Sequence, residues 1–360
     1  MPERTHAPAP PATGKLSPGE LERLIVPHLG AARPEVVVGP GIGRDAAIVK
    51  IGAGRVMAIT TDPLSLVPAL GPELSAVLSC GALASDAWTS GIPPAYAALS
   101  FHLPPSLDEA MLESYATAMG KEWCRLGVAV VGGHTGRYEG CDLTIVGAGT
   151  LIGVGDQGRT VGPSFVEPGD RVIVTKGCAI EATAIAARLF PKRLSQKLDD
   201  GGLERARALM AEVSVVEDCT ALLRVGVRDR GVSCLHDATE GGVLGGLVEL
   251  ARACGHDLRV EQSKIPLSEE ARAACEVFEI DPYWTLSEGT LLATVRPDRL
   301  VESLGALGEM GIAAAVVGEV IRGHGKVWLT APDGRVRAIA EPEPDPYWPA
   351  YRRAVSEGWS

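Results

Sequence analysis

Three aspartates in the first quarter of the chain have the chemistry of metal ligands. Asp45 lies in GRDAA, Asp62 in TTDP and Asp86 in ASDAW, each beside small residues at a predicted strand end or helix start. Carboxylate oxygens are hard ligands, and Mg²⁺ bound to phosphates commonly takes one or two of them. Aspartate is also a common cap and turn residue, so each one alone fits a structural role. Together they predict a magnesium site if the fold makes them converge.

A glycine-rich segment with one histidine, GGHTG at 132–136, follows a predicted strand over 128–131. Gly132 and Gly133 would let backbone amides approach a phosphate or nucleotide closely. A tight turn between strand and loop explains the segment equally well. The residue types leave three roles open for His134, namely metal ligation, hydrogen bonding and filling the turn.

The second half contains HDATEGG at 236–242, between a predicted strand and a helix over 243–254. A strand followed by a polar turn and a helix N-terminus can bind an anion. Thr239 fits the helix cap and Glu240 the first turn, where the helix dipole favours negative charge. Capping does not explain Gly241 and Gly242, because glycine at a helix start lowers stability. Asp237 and Glu240 are therefore the substrate-side candidates, with Glu288 of SEGT behind them, although a plain loop is favoured for SEGT.

The segment GIGRDA at 41–46 fits the GxGxxG/A fingerprint of dinucleotide-binding proteins through Gly41 and Gly43. The fingerprint requires a helix to begin there, with its N-terminus facing the pyrophosphate. The residues that follow are typical of a strand, and they meet Gly52 and Gly54 within ten positions. A nicotinamide site is not favoured.

The elements that must position these residues alternate between strands and helices, which favours an α/β or α+β architecture. In the first half we predict a helix over 17–29, a hairpin of 46–51 with 55–62, and a helix over 73–90. Ser106 and Glu109 have capping-box spacing before a further helix. In the second half we predict four strands, at 171–175, 232–235, 290–296 and 313–321. The polar segment 192–203 is predicted to be a mobile loop. DPYW occurs at 281–284 and 345–348, a match short enough to favour coincidence over a repeat.

Length and composition narrow the class of protein. The 360 residues suggest two domains, and 34 Lys+Arg against 45 Asp+Glu leave a net charge of −11. This charge argues against a general nucleic-acid binder. The longest stretch without charged residues is interrupted by prolines, the N-terminus lacks a signal-peptide core, and no CxxC pair is present. We therefore expect a reduced, cytoplasmic protein without a membrane span.

The domain organisation follows from shifts in composition along the chain. Glycine makes up 43 of 360 residues, about 12% against a usual share of about 7%. The regular pattern of strands and helices is interrupted by a glycine-rich segment around 153–170, which is a candidate boundary between two domains. We predict a disordered tail over 1–16, an N-terminal domain over 17–158, a C-terminal domain over 159–340 and an extension over 341–360.

Seven segments, in this order, resemble the PurM-like ATP-binding superfamily, which includes AIR synthase, thiamine-monophosphate kinase, selenophosphate synthetase and HypE-type hydrogenase-maturation proteins. They are GIGRDAAIV (41–49), TTDP (60–63), ASDAWTSGIPP (84–94), VVGGHTG (130–136), EPGDRVIVTKG (167–177), HDATEGGVLGGLVEL (236–250) and SEGTLL (287–292). Within this superfamily the chain is most similar to HypE-type members of the AIR synthase-related proteins.

The resemblance implies a two-domain fold in which two N-terminal domains form a dimeric β-barrel and a C-terminal α/β domain closes over each. ATP would lie in the cleft, with Mg²⁺ bridging its phosphates to Asp45, Asp62 and Asp86. The remaining implied roles are nucleotide or phosphate binding and catalysis. Binding is assigned to Gly41, Gly43, Arg44, Gly132, Gly133, Thr135, Thr239, Gly241 and Gly242, and catalysis to Asp237, Glu240 and His134.

The chain departs from the family pattern at three places. Arg44 and Asp45 stand where the family has an acidic pair, and His134 stands at a position usually acidic or amide. Both changes lower the number of carboxylates, which puts one metal ion in doubt, and Arg44 is able to pair with a phosphate directly. HypE proteins end in a cysteine that carries the carbamoyl group, whereas this sequence ends in SEGWS and its last cysteine is Cys275.

We therefore predict an ATP- and Mg²⁺-dependent enzyme that phosphorylates a carbonyl, amide or phosphate oxygen of a small substrate. Alternatives are a small-molecule kinase of the thiamine-monophosphate kinase type and a dimer that binds a nucleotide without turnover. A third possibility is activity only in complex with a maturation partner protein. A homodimer is expected, and binding to nucleic acid or membrane is not.

Overall fold

The computed structural model describes residues 14–360, so most of the predicted disordered tail lies outside the described residues. The first half of the chain forms a six-stranded sheet. Its strands are β1 (Val36–Val38), β2 (Ala47–Gly52), β3 (Arg55–Ser65), β4 (Tyr96–Leu103), β5 (Ala129–Arg137) and β6 (Ile145–Asp156). They lie in the order β1-β2-β3-β6-β4-β5, antiparallel except for the parallel pair of β4 and β5. The predicted hairpin is β2–β3, and a strand rather than a helix follows GIGRDA.

Helices cover one face of this sheet. They are α2 (Pro72–Thr89), which packs on β3 and β6, and α3 (Glu109–Leu126), which packs on α2. The short helix α1 (Pro18–Leu24) precedes the sheet and has no buried residues. The capping box of Ser17 and Glu20 begins α1 as predicted. The predicted cap of α3 is wrong, because the Asp108 carboxylate, not Ser106, accepts the hydrogen bond from the Met111 amide at 2.8 Å.

The second half forms a seven-stranded sheet. Its strands are β7 (Arg171–Thr175), β8 (Val232–Ala238), β9 (Asp257–Glu261), β10 (Thr290–Val295), β11 (Ala314–Ile321), β12 (Val327–Thr330) and β13 (Val336–Ile339). They lie in the order β13-β12-β9-β11-β7-β10-β8, and only β9 and β12 run parallel. Strand β8 is buried along its whole length, so His236 and Asp237 belong to a buried strand and not to the turn that follows it.

Eight helices accompany this sheet within the described residues. They are α4 (Ile180–Leu189), α5 (Pro191–Leu194), α6 (Asp200–Ala208), α7 (Val216–Val225), α8 (Gly242–Cys254), α9 (Glu269–Phe278), α10 (Leu300–Glu309) and α11 (Tyr347–Ser356). The predicted mobile loop at 192–203 is wrong. It is largely helical because the apolar residues Leu194, Leu198 and Leu203 are buried in one cluster and Asp199 caps α6.

The two sheets are joined by a continuous core between α2 and α7. The Val215 amide donates to the Ser85 hydroxyl at 3.2 Å, and Leu83 and Leu222 belong to the same buried cluster. Helix α2 also lies against β8, so residues of both halves meet beside the end of that strand. The predicted two-domain α/β architecture is confirmed, while the exact boundaries at 158/159 and 340/341 stay predictions. Among residues 14–360, no helix is both long enough and apolar enough to span a membrane.

Candidate active site

Carboxylates from both halves of the chain converge beside the carboxyl end of β8. We call this group the acidic cluster: Asp45, Asp62, Asp86, Asp237 and Glu288. The first three come from the loop before β2, from β3 and from α2, and the last two from β8 and the turn before β10. The cluster thus exists only because the two sheets are packed together.

The loop before β2 reaches this place because Gly43 has no side chain. Gly43 adopts a φ of +65°, and a Cβ there would lie 2.5 Å from the backbone oxygen of Glu249 on α8. This close approach brings Asp45 to the second sheet, where its Oδ1 lies 2.7 Å from His236 Nδ1. The other ring nitrogen of His236 lies 3.1 Å from Glu249 Oε2. The imidazole is therefore held between two carboxylates, and these interactions keep the pKa of His236 well above its usual value in spite of its burial.

The hydroxyl of Thr60 on β3 connects the side chain of Asp86 to the loop that carries Asp45. The Thr60 hydroxyl lies 3.0 Å from Asp86 Oδ2 and donates to the backbone oxygen of Asp45 at 2.8 Å. Thr60, Asp62 and Leu64 alternate along β3 and point to the face of the sheet that α2 covers. Asp62 and Asp86 therefore face each other across the contact between β3 and α2.

Burial makes the ionised forms of these carboxyl groups unfavourable. It raises the pKa of Asp62 to about 6 and that of Asp237 to about 7, with neighbouring carboxylates adding to the shift. Burial also raises the pKa of Asp86 and of Glu288 well above the usual range. A bound cation would stabilise the ionised forms of these buried carboxyl groups, so the cluster favours cation binding.

Two oxygen atoms of the acidic cluster have no partner among the described residues. They are Oδ2 of Asp237, a residue only 3% exposed, and Oε1 of Glu288, a residue 6% exposed. Carboxylate oxygens of Asp45 and Asp237 also lie within 4.8 Å of each other, beside His236. Buried oxygen atoms without partners are costly unless a ligand binds them, and oxygen donors of this kind suit Mg²⁺. The residues present thus fit a magnesium ion.

The turn after β8 differs from the predicted anion site. Gly241, not Thr239, is the residue that precedes α8, and its amide donates to Asp345 Oδ2 at 2.8 Å. Gly242 has a φ of +63°, and a Cβ there would lie 2.7 Å from the backbone oxygens of Tyr283 and Thr285. A carboxylate from the C-terminal segment therefore occupies an anion position at the start of this helix.

The two DPYW segments lie on opposite sides of this turn. In each, the aspartate side chain accepts a hydrogen bond from the backbone amide two residues later, Asp281 from Tyr283 and Asp345 from Tyr347. The first segment packs against Gly242 and the second binds Gly241. The repeated tetrapeptide thus forms the same aspartate hydrogen bond twice, although the first segment is a turn and the second begins α11.

The glycine-histidine segment lies elsewhere. Gly132, Gly133, His134 and Thr135 are inside β5, because this strand continues beyond the predicted end at 131. Gly133 pairs with Leu99 on β4, Leu99 pairs with Gly149 on β6, and Gly149 pairs with Asp62 on β3. Three strand spacings therefore separate Gly133 from Asp62, a distance of about 14 Å. His134, the next residue, points to the opposite face, where its Nε2 lies 2.5 Å from the Tyr138 hydroxyl. One chain alone does not bring His134 to the acidic cluster.

Gly133 has a structural requirement of its own. Its φ is +145°, and a Cβ there would lie 1.8 Å from the backbone oxygen of Leu99. Arg44 is exposed and lies beside Gly41 in the loop before β2, and within residues 14–360 its guanidinium has one hydrogen bond, to the Gly39 backbone oxygen at 3.4 Å. The Arg44 side chain therefore has room to pair with a ligand.

Sequence reasoning missed several residues of this site, among them His236, Glu249 and Lys15. His236 was part of a motif that we interpreted as a turn, Glu249 was an ordinary helix residue, and Lys15 fell in the predicted disordered tail. The alternation of apolar residues in VSCLHDA was a signal that β8 continues through His236. No local signal pointed to Glu249 or Lys15.

Two family models match this chain. The model of the N-terminal domain of AIR synthase related proteins matches residues 43–154, and that of the C-terminal domain matches residues 167–329. The chain is also similar to the carbamoyl dehydratase HypE of Rhodobacter capsulatus. The two are 28% identical over 310 residues, which cover 82% of this chain and 84% of the relative.

Solved structures share the fold. A structure of the hydrogenase maturation protein HypE in complex with ATP has a TM-score of 0.60 at 21% identity, covering 92% of this chain and 94% of that one. The thiamine monophosphate kinase of Aquifex aeolicus has a TM-score of 0.62 at 19% identity, covering 81% and 92%. At these identities the likeness is one of fold.

Proposed function

The chain belongs to the AIR synthase related proteins, and from this membership we propose that it is an ATP-dependent enzyme that transfers a phosphoryl group to an oxygen atom of a small substrate. The fold is the two-domain PurM-like fold of HypE and of thiamine monophosphate kinase. The observation that carries the proposal is the acidic cluster. Its buried carboxylates, two of them with an oxygen that has no partner, suit a metal–phosphate complex.

We assign separate roles to the residues of the site. Asp45, Asp62 and Asp86 hold magnesium, which supplies charge neutralisation on the transferred phosphate. Asp237 is the candidate proton acceptor from the substrate, because burial raises its pKa to about 7. Arg44 has the freedom to bind a phosphate as a bidentate partner.

The remaining predicted residues divide into two groups. Glu240, Thr239, Gly241 and Gly242 surround the start of α8, where backbone amides favour an anion. Gly132, Gly133, His134 and Thr135 lie on β5, away from the acidic cluster of the same chain. We propose that this second group contributes to a site only across a contact between two chains.

The class of acceptor is proposed from the relatives. The curated relative is named a carbamoyl dehydratase, so an amide oxygen is the first acceptor class to test. The solved kinase has nearly the same TM-score as the solved HypE, so a phosphate oxygen is the second.

Binding of a non-hydrolysable ATP analogue tests the proposal. We expect tight binding only when Mg²⁺ or Mn²⁺ is present, measured by calorimetry. Asp62→Asn is expected to weaken binding of the metal–nucleotide complex about tenfold or more, because it removes a buried carboxylate ligand. Asp156→Asn is the control, since Asp156 lies on the surface in a pair with Arg55.

ATP turnover should then be measured with carbamoyl, amide and phosphate acceptors. Turnover with one class identifies the acceptor. Metal-dependent binding without turnover on any acceptor would instead support the nucleotide-binding dimer. Binding that is indifferent to divalent cations would contradict the metal assignment.

We further propose that two copies of the chain associate through the first sheet. The face of this sheet opposite α2 carries Thr61 and Thr150, whose hydroxyl oxygens lie 2.9 Å apart, and no helix covers it among the described residues. Strand β5 has one free edge, and Val130 and Val131 on it are 51% and 63% exposed. Exposed apolar strands with a free edge are typical of interfaces.

The mass in solution tests the dimer. Each chain has a mass of 37.6 kDa, and light scattering should report twice that value. Val131→Asp should give a monomer, because it places a charge in the proposed interface. Val301→Asp is the matched control, since Val301 is 84% exposed on α10. A monomeric wild type would remove both this proposal and the role of β5. A maturation partner is a further proposal, supported by a solved complex of HypE with HypF that shares this fold. A cytoplasmic location is proposed from the relatives alone.

A further inference from the structure

The first described residues of the chain lie across the acidic cluster. The Lys15 backbone amide donates to Glu240 Oε2 at 2.6 Å, and the Lys15 ammonium donates to the Thr239 hydroxyl at 2.7 Å. The capping box of Ser17 begins α1 two residues later. The N-terminal segment is thus held beside Thr239 and Glu240 by both the backbone and the side chain of Lys15.

The Lys15 ammonium interacts with the carboxylates of the site. Burial of this ammonium lowers its pKa, but Glu249, Asp237, Asp86 and Asp62 raise it, and the net change is upward. The residue as a whole is exposed, while its ammonium lies beside Thr239 and close enough to these carboxylates to be stabilised by them. A phosphate that approaches a group of carboxylates needs cations beside it, and lysine is a common point charge for this purpose.

Glu240 connects Lys15 to the C-terminal segment. While its Oε2 accepts from the Lys15 amide, its Oε1 accepts from the indole Nε1 of Trp348 at 3.0 Å. Trp348 packs against Tyr347, with ring centroids 5.3 Å apart, at the start of α11. Both oxygens of Glu240 are therefore engaged in holding chain segments in place.

We propose that Lys15 binds the terminal phosphate of ATP in this site and that Glu240 and Trp348 position it. This inference rests on the proposed function, since it names a further residue for the same reaction. Lys15 contacts the phosphate, while Glu240 acts through Lys15.

Comparison of a triphosphate analogue with ADP tests the contact. Lys15→Met should weaken binding of the Mg²⁺–triphosphate analogue about tenfold or more, while ADP affinity stays within about threefold, because only the terminal phosphate loses a partner. Turnover should fall in parallel, and Lys15→Arg should restore part of both. Lys50→Met is the control, because Lys50 lies exposed on β2.

Trypsin cleavage after Lys15 provides a readout that does not depend on activity. Glu240→Ala should accelerate cleavage at this position and reduce affinity for the triphosphate analogue. In the double variant Lys15→Met with Glu240→Ala, the loss of affinity should not exceed that of Lys15→Met alone, because both changes remove one contact.

The outcomes separate this inference from the proposed function. If the wild type binds no nucleotide, the proposed function fails first. If the wild type binds the analogue with metal and Lys15→Met binds it equally well, Lys15 is not a phosphate ligand. Equal losses for ADP and the triphosphate analogue would also overturn the inference, because they would indicate a general effect on the site.

Discussion

Asp237→Asn is expected to lower turnover and, at the same time, to stabilise the protein without ligand. We expect kcat to fall about 100-fold or more, because a positioned proton acceptor contributes about this much. Asparagine has nearly the same shape, so the buried β8 strand should remain intact. The measurement is steady-state ATP turnover with the acceptor identified by the panel.

The gain in stability follows from the raised pKa of Asp237. In the folded protein this pKa is about 7, against a usual value of 3.8. Between these two values the unfolded chain has released a proton that the folded chain still binds, so folding stability falls as pH rises. Asparagine has no carboxyl proton to release, so the variant does not lose folding stability in this way as pH rises. The Tm of Asp237→Asn should therefore exceed that of the wild type by a few degrees at pH 8 and by less at pH 5.

Asp257→Asn is a control of opposite sign. Burial raises the pKa of Asp257, but hydrogen bonds from Trp328 and from the amides of Lys326 and His324 lower it by a larger amount. The net shift of this pKa is therefore downward. Its ionised form therefore stabilises the fold at neutral pH, and this stability is lost as pH falls through the lowered pKa. The variant should lose stability at pH 8 and keep its turnover. If Asp237→Asn is active, or less stable than the wild type at pH 8, the role of Asp237 is wrong.

The sequence predicted the elements of this protein better than their convergence. Periodicity placed β2, β3, α2 and α8 close to their observed positions, because each has an apolar face of regular spacing. The loop at 192–203 was mispredicted because its buried leucines are spread among charged residues. Short helices held by tertiary packing leave a weak local pattern.

In the candidate site too, the residue types were predictable from the sequence, whereas their convergence in space was not. The acidic types at Asp45, Asp62 and Asp86 suggested metal binding, but their proximity depends on contacts over long sequence distances. Gly43 against Glu249 is one example, and it decides where Asp45 lies. Residue type also suggested a role for His134, but the register of β5 places this side chain on the other face of the sheet. Such register is set by the whole sheet and not by the segment itself.

Asp170→Ala is expected to destabilise the protein more than any other single change that we consider. Asp170 is 1% exposed and lies in the segment that connects β6 to β7. Its Oδ1 lies 2.7 Å and its Oδ2 lies 2.9 Å from Nη1 of Arg296, which precedes the helical turn before α10. The Ser233 hydroxyl donates to the same carboxylate at 2.7 Å. Removal of the carboxylate leaves the buried guanidinium of Arg296 without its main partner, while the Ser233 hydroxyl keeps its contacts with Thr294.

The expected cost is about 3–5 kcal/mol, the usual range when one member of a buried ion pair is removed. Glu167 and Asp229 lie 3.4 Å and 3.3 Å from the Arg296 guanidinium but are 66% and 91% exposed, so they replace little of the lost interaction. The midpoint of chemical unfolding should therefore shift markedly to lower denaturant. Asp156→Ala is the matched control, because it breaks an exposed pair with Arg55 and should cost about 1 kcal/mol or less.

A double variant distinguishes the buried charge from lost packing. In Asp170→Ala with Arg296→Met, no charge remains without a partner, so the double variant should be more stable than the sum of the two single changes predicts. Strict additivity would mean that the two side chains act independently, which contradicts the structure. A cost of Asp170→Ala no larger than that of Asp156→Ala would mean that the connecting segment is not held by this pair. The connection between the two sheets would then depend mainly on the apolar core of α2 and α7 and on the contacts of Gly43 and Asp45 with Glu249 and His236.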